Sequence, residues 1–198
     1  MDGYGIDALR FLISTLIDLY ALVIVLRFFM QAVGAEFFNP LAQFVVKATR
    51  PVLGPLRRVI PPVGRYDLAA VAVAAALMLL KIGLYKALGI SSIVIGGYAV
   101  GIMHVGVLTL IWLAFVDLIT LFINIWFFAV LIQAILSWIA PAGPNPVLEL
   151  LHRITDPLLR PVRNSLPMIG GIDLSPLVVL IGLQLLKMLL IPPLLQLA

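Results

Sequence analysis

The segment NPLAQFVVKATRPVLGPLRRVIPPVGRYDL at residues 39–68 recurs as NPVLELLHRITDPLLRPVRNSLPMIGGIDL at residues 145–174. The two copies align without a gap at a constant offset of 106 residues (145 − 39 = 106). Such self-similarity at a fixed period indicates a duplicated structural unit. The copies share polar, proline and glycine residues, whereas many of the apolar residues between them differ, so we expect this segment to have a specified shape. The shared motif residues are Asn39, Pro40, Thr49, Pro51, Pro61, Gly64 and Asp67 in the first copy and Asn145, Pro146, Thr155, Pro157, Pro167, Gly170 and Asp173 in the second.

The composition around these segments is that of a membrane protein. Of the 198 residues, 63% are hydrophobic and 11% are charged, and the mean hydropathy is +1.19. Soluble domains carry about 25% charged residues, so most of this chain is expected to lie in lipid. The chain has no cysteine, which excludes disulfides, thiol catalysis and cysteine metal sites.

Four apolar stretches are long enough to cross a bilayer, which requires about 20 residues. They cover residues 6–34, 67–88, 104–140 and 173–192. The third, with about 37 residues at 1.5 Å each, would reach about 55 Å across a hydrocarbon core of about 30 Å, so it must tilt, kink or project. A fifth span within residues 93–119 is the alternative. It would place the two basic connecting segments on opposite sides of the membrane.

The positive charges give the expected orientation. Eight of the 13 Lys and Arg residues lie in the two connecting segments: Lys47, Arg50, Arg57, Arg58, Arg65, Arg153, Arg160 and Arg163. By the positive-inside rule, both segments are expected in the cytoplasm and both termini in the periplasm. The sequence therefore predicts an all-α polytopic membrane protein of two parallel repeats, at residues 6–90 and 106–192, joined by a linker at residues 91–105. Each repeat would have two transmembrane helices joined by an amphipathic interfacial helical hairpin.

The hairpin prediction rests on proline placement. Asn39 followed by Pro40 is typical of a helix N-terminus. The residue before a proline is biased away from helical geometry, so the helix is expected to break at Pro51 and resume as a second short helix. Pro61 and Gly64 would end that second helix. Asp67 would then cap the next span, and the second copy would repeat the arrangement.

The basic connecting segments are candidate binding surfaces. A Lys or Arg near an anionic leaflet contributes about 1 kcal/mol of binding free energy. We expect these segments to bind anionic lipid, a membrane-protein partner or a second copy of the chain. The alternative is that they only anchor and orient the spans. The candidate lipid- or partner-binding residues are Lys47, Arg50, Arg57, Arg58, Arg153, Arg160 and Arg163.

Charged residues also interrupt the spans. Asp18 lies 16 residues from the end of the first stretch (34 − 18) and Lys81 lies 14 from the start of the second (81 − 67), so their depths differ by only about 3 Å. This predicts an ion pair near the middle of the membrane, where a lone charge is costly. In the second copy Asn124 replaces the acid, and Asp117 is the expected substitute partner for Lys187.

Two interpretations of these charged residues remain open. One is a structural salt bridge between helices, and the other is an ion or proton pathway lined by Asp18, Lys81, Asp117, Asn124 and Lys187. His104 and His152 are expected at the surface and not as a haem-ligand pair. The sequence contains no nucleophile elbow, phosphate loop or dinucleotide fingerprint, so we predict a non-enzyme without a cofactor and without a nucleic-acid partner.

The twice-written Asn-Pro, Thr-x-Pro, Pro-x-Arg, Pro-x-x-Gly and Gly-x-x-Asp-Leu pattern resembles the YggT family of bacterial integral membrane proteins. The resemblance covers nearly the whole chain and looks like the two-copy proteobacterial form; relatives called YlmG commonly carry one copy. It implies a role in osmotic or extracytoplasmic stress, potassium homeostasis, cytochrome-complex assembly, or nucleoid and division phenotypes. It implies no catalytic residue.

The first functional hypothesis is therefore a non-enzymatic inner-membrane organiser, or an assembly or stress-response factor, acting through its two basic connecting segments. The alternative is a channel or transporter subunit linked to osmotic stress or potassium homeostasis. The first copy keeps more charge, with Asp18 and Arg27 where the second has Asn124 and Gln133. We therefore expect the first copy to carry more of the charge-dependent function.

Overall fold

The computed structural model of the protein describes residues 3–34, 40–139, 145–165 and 173–198. Four of its helices are long and apolar enough to cross a membrane: Tyr4–Ala32, Leu68–Ala87, Val107–Ser137 and Ser175–Gln196. The predicted all-α polytopic architecture is confirmed. The elements are α1 Gly3–Ala32, α2 Pro40–Leu56, α3 Leu68–Ala87, β1 Ser92–Ile95, β2 Tyr98–Gly101, α4 Val107–Ile139, α5 Pro146–Ser165 and α6 Ser175–Gln196.

The helices form two equivalent pairs. In the first copy α1 packs against α3, in the second α4 packs against α6, and contact between α3 and α4 joins the pairs. Ala69, Ala70 and Ala74 of α3 are fully buried, and such small residues let helices approach closely. The buried apolar residues of α1, α3 and α4 form one continuous core.

An apolar groove between the two copies shows that they are parallel. It is lined by matching positions of both repeats, including Leu22 with Phe128, Leu26 with Ile132 and Leu41 with Val147. Equivalent residues face one another in this way when two units are related by an approximate two-fold axis along the bundle. Both connecting helices lie at the same end, where Arg153 Nη1 of α5 is 3.5 Å from the carbonyl oxygen of Gly34 after α1.

The long third apolar stretch is one continuous helix. α4 has 33 residues, about 50 Å at 1.5 Å per residue, so it projects beyond a hydrocarbon core of about 30 Å or crosses it at a tilt. The fifth-span alternative does not hold for the described residues, because β1 and β2 pair as an antiparallel hairpin at residues 92–101. Gly96 and Gly97 turn the hairpin with φ of +63° and +99°, which few other residues adopt.

The predicted break at Pro51 is wrong. α2 continues through Pro51 and Pro55, and α5 continues through Pro157 and Pro161. A proline inside a helix removes one backbone hydrogen bond and crowds the carbonyl four residues earlier. All four prolines lie on exposed sides of their helices, where other groups can solvate the freed carbonyls.

Tertiary packing holds α2 together across its prolines. Ala42, Val45, Thr49 and Leu53 recur at helical spacing and are buried against the bundle. This packing stabilises a single helix where the local proline rule predicted two. Each copy therefore has one connecting helix, and the hairpin of two short helices is not formed.

The motif residues that the structure describes form the caps and turns at the ends of the connecting segments. Asn145 Oδ1 accepts hydrogen bonds from the backbone N–H groups of Val147 (3.0 Å) and Leu148 (3.3 Å), as expected for an N-cap. After α2, Gly64 has φ +61° within a tight turn closed by the Val63–Tyr66 bridge. The predicted motif residues Asn39, Pro167 and Gly170 lie outside the described residues.

Candidate functional site

The two connecting helices have one apolar side and one basic side. Leu150, Ile154 and Leu159 of α5 are buried, and so are Ala42, Val45 and Leu53 of α2. The structure thus orients the predicted basic residues away from the bundle core. Five of them are exposed: Lys47, Arg50, Arg58, Arg160 and Arg163.

Two predicted binding residues form the same ion pair in both copies. Arg57 pairs with Asp67, with Nε to Oδ2 at 3.2 Å, and Arg163 pairs with Asp173 at 2.8 Å. Arg57 also donates to Gln31 Oε1 of α1 at 3.2 Å. These contacts tie each connecting segment to the start of the next span, so both arginines have a structural role.

The two aspartates cap the following spans differently. Asp67 is fully buried, is the N-cap of α3, and accepts a hydrogen bond from the Ala70 N–H at 3.4 Å, as predicted. Asp173 accepts from the Ser175 N–H at 2.9 Å, but the N-cap residue of α6 is Leu174. Burial alone would raise the pKa of Asp173, but hydrogen bonds from Ser175 and the ion pair with Arg163 outweigh it and hold this pKa below its usual value.

The seventh predicted binding residue, Arg153, contacts its own and the neighbouring repeat. Its Nη2 is 2.9 Å from Glu149 Oε1, one helical turn earlier, and its Nη1 reaches toward the Gly34 carbonyl. Arg153 therefore helps to join the two copies at the end of the bundle where the connecting helices lie. An exposed pair of this kind contributes about 0.2–1 kcal/mol.

The predicted intramembrane pair between Asp18 and Lys81 is confirmed. Lys81 Nζ lies 2.6 Å from Asp18 Oδ1 and 2.7 Å from Asp117 Oδ2, and Lys81 is only 4% exposed. The expected partnership of Asp117 with Lys187 is wrong, because Asp117 lies on the side of α4 that packs against α3. Lys187 instead donates to Asn124 Oδ1 at 3.3 Å.

A polar vestibule opens onto this ion-pair cluster from the end of the bundle that carries the β-hairpin. It has a volume of about 430 Å³ and lies beside both Asp18 and Lys81. Asp7, Arg10, Ser14 and Asp18 line it at helical spacing along α1, and this spacing of polar residues was the sequence signal that could have revealed it. After Asp18, the next part of α1 is apolar and contains the fully buried Ala21, Ile24 and Val25.

A second cavity, of about 240 Å³, lies between α1 and α2 at the opposite end. It is lined by Arg27 of α1, by Thr49 and Arg50 of α2 and by Arg57 directly after α2, together with apolar residues and Gly54. Sequence reasoning noted Arg27 only as a charge missing from the second copy, and did not place it beside the connecting helix. We call this space the arginine cavity.

The equivalent position in the second copy is built differently. Gln133, the counterpart of Arg27, is 3% exposed and accepts a hydrogen bond from the Thr155 hydroxyl. Its Nε2 is also 2.8 Å from His152 Nδ1. His152 is exposed, as is His104, in agreement with the sequence prediction.

Comparisons with known proteins agree with the duplication. The CCB3/YggT family model matches residues 6–88 and again residues 112–194. A protein encoded in the proC 3′ region of Vibrio alginolyticus is 43% identical over 90% of this chain and 90% of its own length. The protein named YggT from Escherichia coli (strain K12) is 40% identical over 92% of this chain and 88% of its own length.

A relative from Haemophilus influenzae is 37% identical over 85% of this chain and 83% of its own length. No solved structure matches the chain. The family model matches twice, once on each pair of spans with its connecting helix, and the relatives match across both copies. The chain therefore belongs to the CCB3/YggT family.

Proposed function

We propose that the protein is a non-enzymatic organiser, or assembly or stress-response factor, of the bacterial inner membrane. In this proposal its connecting helices face the cytoplasm and engage anionic lipid or a membrane-protein partner, with the termini in the periplasm. The observation that carries the proposal is the exposure of Lys47, Arg50, Arg58 and Arg160 at one end of the bundle, on or directly after helices that pack against the bundle through buried residues such as Leu53 and Leu159. At about 1 kcal/mol each near an anionic leaflet, these charges could together hold several lipids in place.

Lipid selectivity can be measured with the full chain reconstituted in vesicles. Electron paramagnetic resonance separates spin-labelled lipid that the protein restricts from lipid that moves freely. We expect phosphatidylglycerol to be restricted at least twofold more than phosphatidylcholine. The preference should fall at 1 M salt, where the screening length is about 3 Å.

The variant Lys47→Gln/Arg58→Gln/Arg160→Gln should lose this preference. Its matched control is Arg58→Lys/Arg160→Lys, which conserves charge and should keep the preference. Equal restriction of the two lipids by the wild-type protein would overturn the lipid proposal. If the triple variant behaved like the wild type, the exposed basic residues would not be responsible.

A second candidate function is favoured by the polar vestibule. The row of Asp7, Arg10 and Ser14 along one side of it leads to the Asp18–Lys81–Asp117 cluster, although Phe11, Ile93 and Val94 also line it. Such a row of polar residues suits an ion- or proton-conducting subunit linked to osmotic stress or potassium homeostasis. Conduction would require the apolar segment around Ile24 and Val25 to open. Potassium flux into proteoliposomes that the wild type supports and that Asp18→Asn abolishes would favour this candidate; a wild type without flux would exclude it.

A further inference from the structure

We infer that the arginine cavity is a binding site for a phosphate group, carried by the headgroup of an anionic lipid or by a soluble phosphate. The inference rests on the proposed function and deepens it, because it assigns the anion to a defined cavity instead of a broad basic surface. Arg27, Arg50 and Arg57 would hold the group.

The charge of the cavity is the first argument. Its described lining carries three guanidinium groups and no carboxylate, and Asp67, which pairs with Arg57 outside the lining, offsets one of the three charges. A guanidinium group can donate two parallel hydrogen bonds to two phosphate oxygens, which makes arginine the preferred residue for bidentate phosphate recognition. Like charges that converge on one partly enclosed space favour an anion between them.

Arg57 is already held in place for such a role. Its Nε and Nη2 are engaged by Asp67 and Gln31, outside the lining of the cavity. These contacts fix the guanidinium between α1 and the start of α3, so little side-chain entropy remains to be lost on binding. A guanidinium has five N–H donors, so these contacts do not exhaust it.

The depth and size of the cavity suit a phosphate at the membrane interface. Arg27 lies five residues inside the end of α1 (32 − 27), which is about 7.5 Å along the axis. A long arginine side chain at this depth reaches the headgroup level. The volume of about 240 Å³ equals about eight waters at 30 Å³ each, and Gly54 contributes no side chain to fill it.

The second copy provides an internal comparison. There Gln133 replaces Arg27, Asp156 replaces Arg50, and Arg160 replaces Gly54. Gln133 is hydrogen-bonded to Thr155 and His152, so an uncharged amide takes the place of the Arg27 guanidinium. Three converging cations are thus a property of the first copy alone among the described residues, which argues for a ligand and against a general requirement of the fold.

The test uses the full chain purified in an uncharged detergent. Isothermal titration would measure binding of dihexanoyl-phosphatidylglycerol, dihexanoyl-phosphatidylcholine and inorganic phosphate, each lipid below its micelle concentration. We expect the phosphatidylglycerol to bind at least tenfold more tightly than the phosphatidylcholine. Arg27→Gln should weaken its binding about tenfold, which corresponds to about 1.4 kcal/mol, and Arg50→Asp should abolish it.

The matched control is Arg65→Gln, which removes one positive charge from an exposed residue of the same connecting segment outside the cavity. It should leave binding unchanged. Arg27→Lys keeps the positive charge but loses the bidentate guanidinium, and should bind phosphatidylglycerol with intermediate affinity. Arg27→Lys is a smaller change than Arg27→Gln and is expected to fold normally. Thermal unfolding of each variant would show whether weaker binding results from loss of folding.

The comparison of the three titrated ligands identifies the source of the phosphate. Binding of inorganic phosphate that Arg27→Gln weakens would assign a soluble anion, whereas binding of phosphatidylglycerol alone would assign a lipid headgroup. Either result supports the site. The inference is overturned if none of the anions binds the wild type, or if Arg27→Gln and Arg65→Gln bind equally well.

The spin-label experiment tests the proposed function and the titration tests the cavity site, so each can be contradicted without the other. If the exposed-surface triple variant loses lipid preference while Arg27→Gln leaves titrated binding unchanged, the proposed function stands and the cavity site falls. If Arg27→Gln loses titrated binding and the wild type shows no lipid preference in vesicles, the site stands without the membrane-organising role.

Discussion

Lys81 shows at residue scale how a charge is held inside the spans. It contacts carboxylates from two other helices, Asp18 of α1 and Asp117 of α4, and so joins three of the four spans. Matching depths along two antiparallel helices were enough to predict the first partner. They were not enough for the second, because helical periodicity gives the side of α4 on which Asp117 lies but not the helix that packs there.

Replacing this lysine should therefore cost more than replacing its counterpart. Lys81→Met would leave both carboxylates without their cation, and breaking a buried pair such as Lys81–Asp117 costs about 3–5 kcal/mol of unfolding free energy. Lys187→Met loses only a hydrogen bond to Asn124, worth about 1 kcal/mol. Unfolding by sodium dodecyl sulfate in mixed micelles measures both; equal losses would contradict the assigned partners.

Asp173 gives a prediction about pH. Its pKa is lowered in the folded protein, so its contacts stabilise the second connecting segment above the pKa of the unfolded chain, about 3.9, and are lost as pH falls through the lower folded value. A spin label at Ser165→Cys should therefore gain mobility on acidification, with a midpoint below about 3.9. The effect should be small, because both partners are more than one-third exposed.

The control for this titration is the same labelled protein with Asp173→Asn, which should show high mobility throughout and no midpoint. The absence of native cysteine makes the label specific. A midpoint above the usual aspartate value would show that the carboxylate is destabilised by its surroundings, contrary to the hydrogen bonds that it accepts from Ser175 and Arg163.

At the scale of elements, α2 is a helix whose course is decided by tertiary packing and not by the local sequence rule for proline. The proline rule placed a break at Pro51, but the buried side of the helix runs from Ala42 to Leu53 without interruption. A rule that considers only the residue before a proline cannot include that burial. The β-hairpin was likewise missed, because residues 91–105 were interpreted only as a linker.

Packing of α2 can be tested with two neighbouring residues. Leu53 is 1% exposed and Val52 is 40% exposed. Leu53→Ala should lower the unfolding free energy by about 2–5 kcal/mol, because it removes buried methyl groups and leaves a cavity. Val52→Ala should change it by at most about 0.5 kcal/mol. Similar losses at both positions in a thermal or detergent unfolding assay would show that α2 does not pack as described.

At the scale of the whole molecule, the duplication and the positive charges were enough to predict four spans in two parallel units. The difference between the units was predicted only as a count of charges. The position of Arg27 beside α2 depends on how the end of α1 meets the connecting helix, which no periodicity encodes. The two copies thus share one architecture but differ in the chemistry of their connecting ends: three arginines in the first, and a hydrogen-bonded glutamine in the second.

The proposed function requires both basic connecting helices to lie on one side of the membrane, the cytoplasmic side. Single-cysteine labelling tests it directly, since the chain has no cysteine of its own. In intact spheroplasts, a membrane-impermeant maleimide should label Tyr98→Cys in the hairpin but neither Arg58→Cys nor Arg160→Cys, and inverted vesicles should give the reverse pattern. Labelling of Arg58→Cys and Arg160→Cys from opposite sides would contradict the parallel repeats, and labelling of both from outside would contradict the orientation.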